Sequence, residues 1–99
     1  MHKSYLNMLG LAYRARACIL GVDLIVKNIK RRRAKLVLIA KDCSKQTRKK
    51  ITDKCHTYNI PYVIVDDRHT ISHAIGQSQR VAVAILDKGF ATKISTLLE

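Results

Sequence analysis

The chain has 99 residues, enough for one domain with a modest hydrophobic core. Hydrophobic residues make up 47% of it, which argues against disorder, and no apolar run approaches the ~20 residues of a membrane span. Residues 1–13 lack the apolar core and cleavage site of a signal peptide, so we expect one cytoplasmic domain over residues 1–99 that does not contact a membrane. The cysteines form no CxxC pair and no base stands beside them, so we expect reduced core thiols at Cys18, Cys43 and Cys55.

The formal net charge is +12 and the isoelectric point lies near 10.1. Fifteen basic and three acidic residues precede Cys55, whereas four of each occur from Cys55 onward. The whole excess charge therefore belongs to the first half of the chain. A folded domain with this imbalance repels itself unless a polyanion neutralises it. Nucleic acid is the first partner that this charge indicates, and an anionic membrane surface is the second.

The first half of the chain alternates between helical and extended patterns. Apolar residues at helical spacing predict a helix over Ser4–Arg14, and a short apolar run that ends at Gly21 predicts a stub of strand over Cys18–Leu20. An amphipathic helix over Val22–Arg33 follows, with its basic residues on the face opposite to the apolar ones. The continuous apolar run Leu36–Ala40 is typical of a strand that is buried on both faces.

The second half continues the alternation, with a helix capped by Asp42 or Ser44, a buried strand, a short helix, a third buried strand and a closing helix. Their predicted ranges, in order, are Lys45–Thr57, Tyr62–Val65, Thr70–Ile75 (ended by a left-handed Gly76), Val81–Leu86 and Asp87–Leu98. Buried strands that alternate with helices indicate the α/β class. With right-handed crossovers, they predict a three-layer α/β/α sandwich around a small mixed sheet of about four strands.

The sequence offers little that would support catalysis. The glycines stand too far apart for a dinucleotide- or phosphate-binding loop. His69 and His73 could share a helix face but have no third metal ligand nearby, so they are better interpreted as surface histidines. Asp66 and Asp67 fit a solvated exit from a strand better than a Mg²⁺ site. We therefore expect no catalytic residue, no metal, no cofactor and no small-molecule substrate.

Basic residues crowd around the second predicted helix and the strand that follows it. If these side chains converge, they form a surface that neutralises phosphates. The chain lacks the interleaved aromatic residues of a single-strand stacking platform, and also lacks the RRM and zinc-finger patterns, so we expect structured nucleic acid held by backbone and edge contacts. Gly21 adds a turn into a helix N-terminus, whose N–H groups favour an anion. The residues expected to neutralise phosphates are Lys27, Lys30, Arg31, Arg32 and Lys41.

Several motifs occur in a distinctive order along the chain. Gly21–Lys27 leads through the basic stretch to Ala34–Asp42, and Asn59–Tyr62, His73–Gly76 and Val81–Ile85 follow. In this order and spacing they resemble the L7Ae/L30e family of ribosomal and kink-turn-binding proteins, and within it most closely a bacterial group of small ribosomal-protein-like chains. The resemblance covers nearly the whole chain.

The resemblance implies an α/β/α sandwich that binds an RNA kink-turn, in which tandem sheared G·A pairs follow a bulge. In the family, the turn after the first strand and the start of the next helix enter the bent major groove, and a second loop covers the bulged nucleotides. Carried over by position, these elements are Gly21, Val22, Asp23, Leu24 and Lys27 for the first, and Ile75, Gly76, Gln77, Ser78, Gln79 and Arg80 for the second. The family's usual Asn-Glu pair reads Asp23-Leu24 here, and its typically apolar second loop is polar.

Together these observations predict a non-catalytic RNA-binding protein, associated with ribosomes and monomeric, whose partner is ribosomal RNA or another kinked RNA. The alternative is a ribosome-assembly or translation accessory that acts mainly through protein contacts, with the basic half as a generic RNA tether. A small hydrolase or nuclease built on Asp66, Asp67 and a histidine is a third class. Binding to duplex DNA is a lesser variant of the first.

Overall fold

The structure is a computed structural model that describes residues 4–99, in which five helices alternate with four strands. The helices are α1 (Ser4–Arg14), α2 (Val22–Lys30), α3 (Lys45–Tyr58), α4 (Arg68–Ala74) and α5 (Lys88–Leu98). The strands are β1 (Cys18–Leu20), β2 (Leu36–Ala40), β3 (Tyr62–Val65) and β4 (Ala82–Ile85). Every predicted element is present. The largest differences are that α2 ends at Lys30 instead of Arg33 and that α4 begins at Arg68 instead of Thr70.

The four strands form one mixed sheet in the order β1-β4-β2-β3. The last strand, β4, pairs antiparallel with both β1 and β2, and β2 pairs parallel with β3. As a result β1, β2 and β3 all end, and β4 begins, at the same end of the sheet. We call this the Gly21 end, because Gly21 directly follows β1 there.

Helices cover both faces of the sheet, and β2 shows how the sequence divides between the two layers. Leu36, Leu38 and Ala40 belong to a core shared with α1, α4 and α5. Val37 and Ile39 point the other way, into a core shared with α2 and α3. All five residues of the strand are buried, because alternate side chains of a strand face opposite sides of a sheet. The predicted three-layer α/β/α sandwich is therefore confirmed.

The strand β3 is the edge of the sheet, and the prediction that it is buried is wrong. Among the strands of the described chain it pairs with β2 alone, and Ile64 exposes 40% of its surface. The run Tyr62–Val65 is as apolar as a central strand, but position in a sheet depends on the order in which strands pair. That order is decided by contacts between distant parts of the chain, which a local run does not encode.

Of the two caps offered for α3, Ser44 is the one used. Its side chain accepts a hydrogen bond from the Thr47 N–H at 3.2 Å. Asp42 instead reaches across to the start of α4, where Oδ1 accepts the Arg68 N–H at 2.9 Å and Oδ2 accepts from Arg68 Nε at 3.3 Å. The predicted left-handed conformation of Gly76 is confirmed, at φ 69°.

All three cysteines are free thiols. Cys43 and Cys55 are buried in the core under α2 and α3, whereas Cys18 is only partly buried. Loss of solvation raises the pKa of Cys18 to about 12 and that of Cys55 to about 11. Such thiols are protonated packing groups, as the sequence predicted. None of the helices formed by residues 4–99 has both the length and the apolar character needed to span a bilayer.

Candidate nucleic-acid interface

Gly21 turns the chain from β1 into α2 with φ 90° and ψ 126°. Its carbonyl accepts the Ile25 N–H at 2.9 Å, and no side chain from the described part of the chain caps the helix. A Cβ at this position would meet nothing within 4 Å, so glycine is favoured here by the backbone angle and not by lack of space. The uncapped N–H groups of the first turn of α2 are therefore left for a ligand or solvent.

The loop Gln77–Arg80, which precedes β4, is held by hydrogen bonds to the helices beside it. The buried Ser72 hydroxyl accepts the Arg80 N–H at 2.9 Å and donates to the Arg80 carbonyl at 3.3 Å. Gln77 Nε2 donates to the Tyr13 hydroxyl at 2.7 Å. Gln79 adopts a left-handed φ of 58°. These contacts fix a short polar loop in one conformation.

The structure brings the turn after β1 and the loop before β4 together, because β1 and β4 are neighbouring strands. Between them lies a cavity of about 200 Å³, lined by Gly21, Val22, Gln79, Arg80, Val81 and Ala82. Ile75 does not line it, since that side chain is buried in the core against α4. Gly76, Gln77 and Ser78 come earlier in the loop than Gln79, and they do not line the cavity either.

Lys41 follows β2 and lies at the same Gly21 end of the sheet. Its N–H donates to the Asp66 carbonyl at 3.0 Å, and its own carbonyl accepts from Arg48 Nη2 at 3.0 Å. The backbone is thus fixed while the lysine side chain is exposed. Lys41 therefore adds a cation to the end of the sheet where Gly21 and Arg80 meet.

The start of α2 presents Asp23 and Leu24 to solvent. Leu24 exposes 52% of its surface, one of only three large hydrophobic residues within residues 4–99 that are so exposed. Asp23 Oδ1 accepts from Lys50 Nζ of α3 at 3.0 Å. Lys27 lies one turn farther along the same helix face as Asp23, since residues four apart are neighbours on a helix surface.

The other end of α2 lies at the opposite end of the sheet. The helix stops because Arg32 adopts a left-handed φ of 56°, and the Arg33 N–H bonds back to the Asn28 carbonyl. Arg32 Nη1 donates to the Tyr58 carbonyl at 2.8 Å, and the guanidinium carbon lies 5.6 Å from the centre of the Tyr58 ring. A nine-residue helix is about 13 Å long, so Arg31 and Arg32 do not converge with the Gly21 turn.

Two residues that matter for this surface were missed by sequence reasoning. Lys50 contacts Asp23 from α3, and Ser72 holds the Gln77–Arg80 loop from α4. A partial signal for Lys50 exists in the sequence, because Lys50, Lys54 and Tyr58 recur every four residues and so share one side of a helix. Nothing local to Ser72 distinguishes it from an ordinary helical serine.

The acidic pair that a hydrolase would need is engaged in structural bonds. Asp67 caps α4 by accepting the Thr70 N–H at 2.8 Å, and this hydrogen bond lowers the pKa of Asp67. Asp66 accepts from the Tyr5 hydroxyl. The rings of His69 and His73 stack with their centres 6.4 Å apart, and within residues 4–99 no group of three or more His, Cys, Asp or Glu residues could hold a metal ion.

Comparison with known sequences gives a family and two bacterial relatives that align over nearly the whole of both chains. The family model described as "Ribosomal protein L7Ae/L30e/S12e/Gadd45 family" matches residues 3–95. The RNA-binding protein YlxQ of Bacillus subtilis is 49% identical over 93% of this chain and 92% of its own length. A YlxQ protein of Enterococcus faecium is 37% identical over 95% of this chain and 90% of its own length. The resemblance predicted from the motifs is thereby confirmed.

Solved structures share the fold. A Bacillus halodurans protein superposes with a TM-score of 0.93 at 37% identity, covering 99% of this chain and 98% of its own. The 15.5 kD RNA-binding protein of Giardia lamblia superposes with a TM-score of 0.77 at 20% identity, covering 94% of this chain and 80% of its own. The second likeness concerns the fold alone.

Proposed function

Because the chain belongs to the ribosomal protein L7Ae/L30e/S12e/Gadd45 family, we propose that it binds structured RNA and catalyses no reaction. It acts as a monomeric cytoplasmic domain over residues 1–99, on kinked ribosomal RNA or an RNA of similar bend. One observation carries this proposal. The Gly21 turn and the Gln79–Arg80 segment, far apart in sequence, line one cavity at the end of the sheet. The net charge of +12 supplies the attraction for a polyanion.

Phosphates are held by the first turn of α2 and by the cations around it. The N–H groups after Gly21 have no side-chain cap and can donate to an anion, and the helix dipole favours negative charge there. Lys27, Lys41 and Arg80 add positive charge at the same end. Lys30, Arg31 and Arg32 contact phosphates farther from the bend, along α2 and at its end.

The base edges are read by Asp23 and Leu24. An ionised Asp23 accepts hydrogen bonds from guanine N–H groups but cannot donate, so its preference is narrower than that of an asparagine. Lys50, at 3.0 Å, offsets the repulsion between this carboxylate and the RNA phosphates. Leu24 offers only apolar contact, which suits the face or the sugar of a nucleotide.

The Gln77–Arg80 loop closes over an unpaired nucleotide. Its polar side chains make hydrogen bonds where the family's apolar loop would make packing contacts. The bonds from Ser72 and Tyr13 hold the loop before RNA arrives, so little conformational entropy is lost on binding. Ile75 supports this loop from the core, and Gly76 supplies its left-handed first step.

The test is a fluorescence titration against a kink-turn RNA and a straight duplex of the same composition, at two salt concentrations. If about five phosphates are neutralised, the log–log dependence of affinity on salt has a slope of roughly −4. We expect the kinked RNA to bind more tightly at both concentrations. The Asp23→Ala/Leu24→Ala double variant should lose that preference and keep its salt-dependent binding. Equal affinity of the unmodified chain for both RNAs would overturn the proposal.

The alternative, an accessory that acts mainly through protein contacts, has one observation in its favour. A groove of about 920 Å³ lies between α1 and α4, on the face of the sheet opposite to α2 and α3, and Leu11 in it is 46% exposed. Co-sedimentation with purified ribosomes separates the two functions. Binding that survives the Asp23→Ala/Leu24→Ala substitutions unchanged supports the protein-contact role.

A further inference from the structure

The helices α2 and α3 lie side by side and run in the same direction. Each follows a strand that ends at the Gly21 end of the sheet, and each returns to the opposite end. Two contacts join them: Lys50 reaches Asp23 at 3.0 Å near the start of α2, and Arg32 donates to the Tyr58 carbonyl at 2.8 Å at the end of both helices. These two surface contacts add to the shared apolar core that holds the two helices side by side.

A row of lysines begins at the first of these contacts and runs toward the second. On α3, Lys54 falls midway between Lys50 and Tyr58, at steps of four residues, so it lies on the side that faces α2. On α2, Lys27 and Lys30 follow Asp23 at four and seven residues and share its face. We call the row formed by Lys27, Lys30, Lys50 and Lys54 the α2–α3 seam.

Most of the positive charge of the seam is not paired with a carboxylate within residues 4–99. Lys50 is paired with Asp23, whereas no carboxylate of this part of the chain pairs with Lys27, Lys30 or Lys54. The other acidic residue of α3, Asp53, is bound by Lys49 at 2.9 Å. A row of neighbouring lysines held on rigid helices destabilises the free protein by repulsion, and an external polyanion would relieve it.

Further basic residues lie at the end of the seam where α2 stops. Arg32 has a left-handed backbone there, and its side chain is held by Tyr58. Its neighbours Arg31, Arg33 and Lys35 are all exposed. The seam therefore ends in a further group of cations instead of in acidic or apolar residues.

We propose that the α2–α3 seam binds the phosphates of an RNA stem, which leaves the bend at Gly21 and runs along α2 toward Arg32. This rests on the proposed function, because the seam begins at Lys27 and at Lys50, the partner of Asp23, where the bent RNA is proposed to bind. The seam follows the helix axis for about 13 Å, with its cations roughly one helical turn apart. Because both helices pack on one buried core, the backbone positions that carry the lysines are in place before RNA binds.

An RNA stem fits the seam better than a membrane does. A membrane-binding helix pair needs several exposed apolar side chains next to its lysines, and among the described residues of α2 and α3 Leu24 is the one large hydrophobic residue that is exposed. The large exposed hydrophobic residues of the described chain are Leu11, Leu24 and Ile64, which lie on α1, at the start of α2 and on β3.

The test compares two kink-turn RNAs that share one bend, with a minimal stem and with that stem extended by one helical turn. We expect the unmodified chain to bind the extended RNA about tenfold more tightly, with a salt slope steeper by about 2. Lys30→Gln/Lys54→Gln should bind both RNAs alike. Lys88→Gln/Lys93→Gln on α5 removes the same charge from the other layer and should keep the difference. Lysine and glutamine have similar helix propensities, so thermal melting should show both variants to be folded.

The outcomes separate this proposal from the proposed function. Equal affinity of the unmodified chain for the two stem lengths, with preference for the bend retained, would overturn the seam alone. A chain that binds the short kinked RNA no better than a straight duplex would overturn the proposed function. If Lys88→Gln/Lys93→Gln abolished the stem effect as fully as the seam variant, overall charge would be its cause, and the seam would be rejected.

Discussion

Lys50 Nζ lies 3.0 Å from Asp23 Oδ1, so a lysine of α3 neutralises the carboxylate at the start of α2. Both side chains are well exposed, at 52% and 93%, and ion pairs in such surroundings contribute about 0–1 kcal/mol to stability. The pair matters more for the surface to which it belongs. An unpaired carboxylate there would face incoming phosphates, and Lys50 converts that position from repulsive to neutral.

Replacing Lys50 with glutamine should therefore separate stability from binding. We expect Lys50→Gln to change the free energy of unfolding in urea by less than about 1 kcal/mol. RNA affinity should fall several-fold at low salt and by less at high salt, because screening weakens the exposed charge. Lys49→Gln is the matched control, since Lys49 pairs with Asp53 on the same helix at 2.9 Å. An equal loss of affinity in that control would contradict a specific role for Lys50.

The Ser72 hydroxyl is predicted to stabilise both the fold and the RNA-binding loop. Ser72→Ala removes the partner of the Arg80 N–H, and a buried donor left without one costs about 1–3 kcal/mol. The loosened loop should also reduce the preference for kinked over straight RNA, as measured by titration. Ser44→Ala removes the N-cap of α3 at a cost of about 1 kcal/mol and should leave that preference unchanged.

Gly10 lies where α1 packs against the end of α4. A Cβ on Gly10 would lie 2.9 Å from the Ala74 carbonyl oxygen, a backbone atom that cannot move without shifting a helix. Gly10→Ala should lower the free energy of unfolding by about 1–3 kcal/mol in urea titrations. Gly89→Ala should cost less, because its near neighbour at 3.1 Å is the side-chain oxygen of Asp87. Equal losses in the two variants would show that backbone crowding at Gly10 is not the cause.

Cys55 should be unreactive in the folded protein. Desolvation raises its pKa from 9.0 to about 11, so the thiol is protonated at pH 8 and alkylation by iodoacetamide should be slow until urea is added. The unfolded chain ionises this thiol more easily. The contribution of the neutral Cys55 thiol to the free energy of unfolding is thus fully present below about pH 9, and it is lost as the pH rises toward 11. An alkylation rate that urea does not change would contradict this placement of Cys55.

Local patterns predicted the layers of this fold because burial follows periodicity. The unbroken apolar run of β2 predicted a strand covered on both faces, and every residue in it is buried. The equally apolar β3 is an edge strand, because strand order depends on pairing between distant segments. The end of α2 was misplaced for a different reason. Arg32 takes the left-handed position of a glycine, and no propensity scale anticipates an arginine there.

The candidate site was also only partly predictable from the sequence. Gly21 could be identified from the sequence, because a glycine between a strand and a helix favours a turn with positive φ. That Gln79 and Arg80 would line a cavity with Gly21 follows from the adjacency of β1 and β4. The roles of Lys50 and Ser72 depend on which helices and loops pack together, so the local sequence could not predict them.

The insertion of β4 between β1 and β2 affects how the chain folds during its synthesis. Gly21 and Arg80 line the same cavity, yet most of the chain lies between them, and within residues 4–99 β1 has no neighbour in the sheet other than β4. A nascent chain that has not yet supplied β4 therefore lacks a docked first strand and lacks this cavity. Contacts between such distant segments form late and slowly in folding. RNA that contacts both sides of the cavity would bind only after β1 and β4 have paired. Its binding energy would therefore add to the stability of the entire domain.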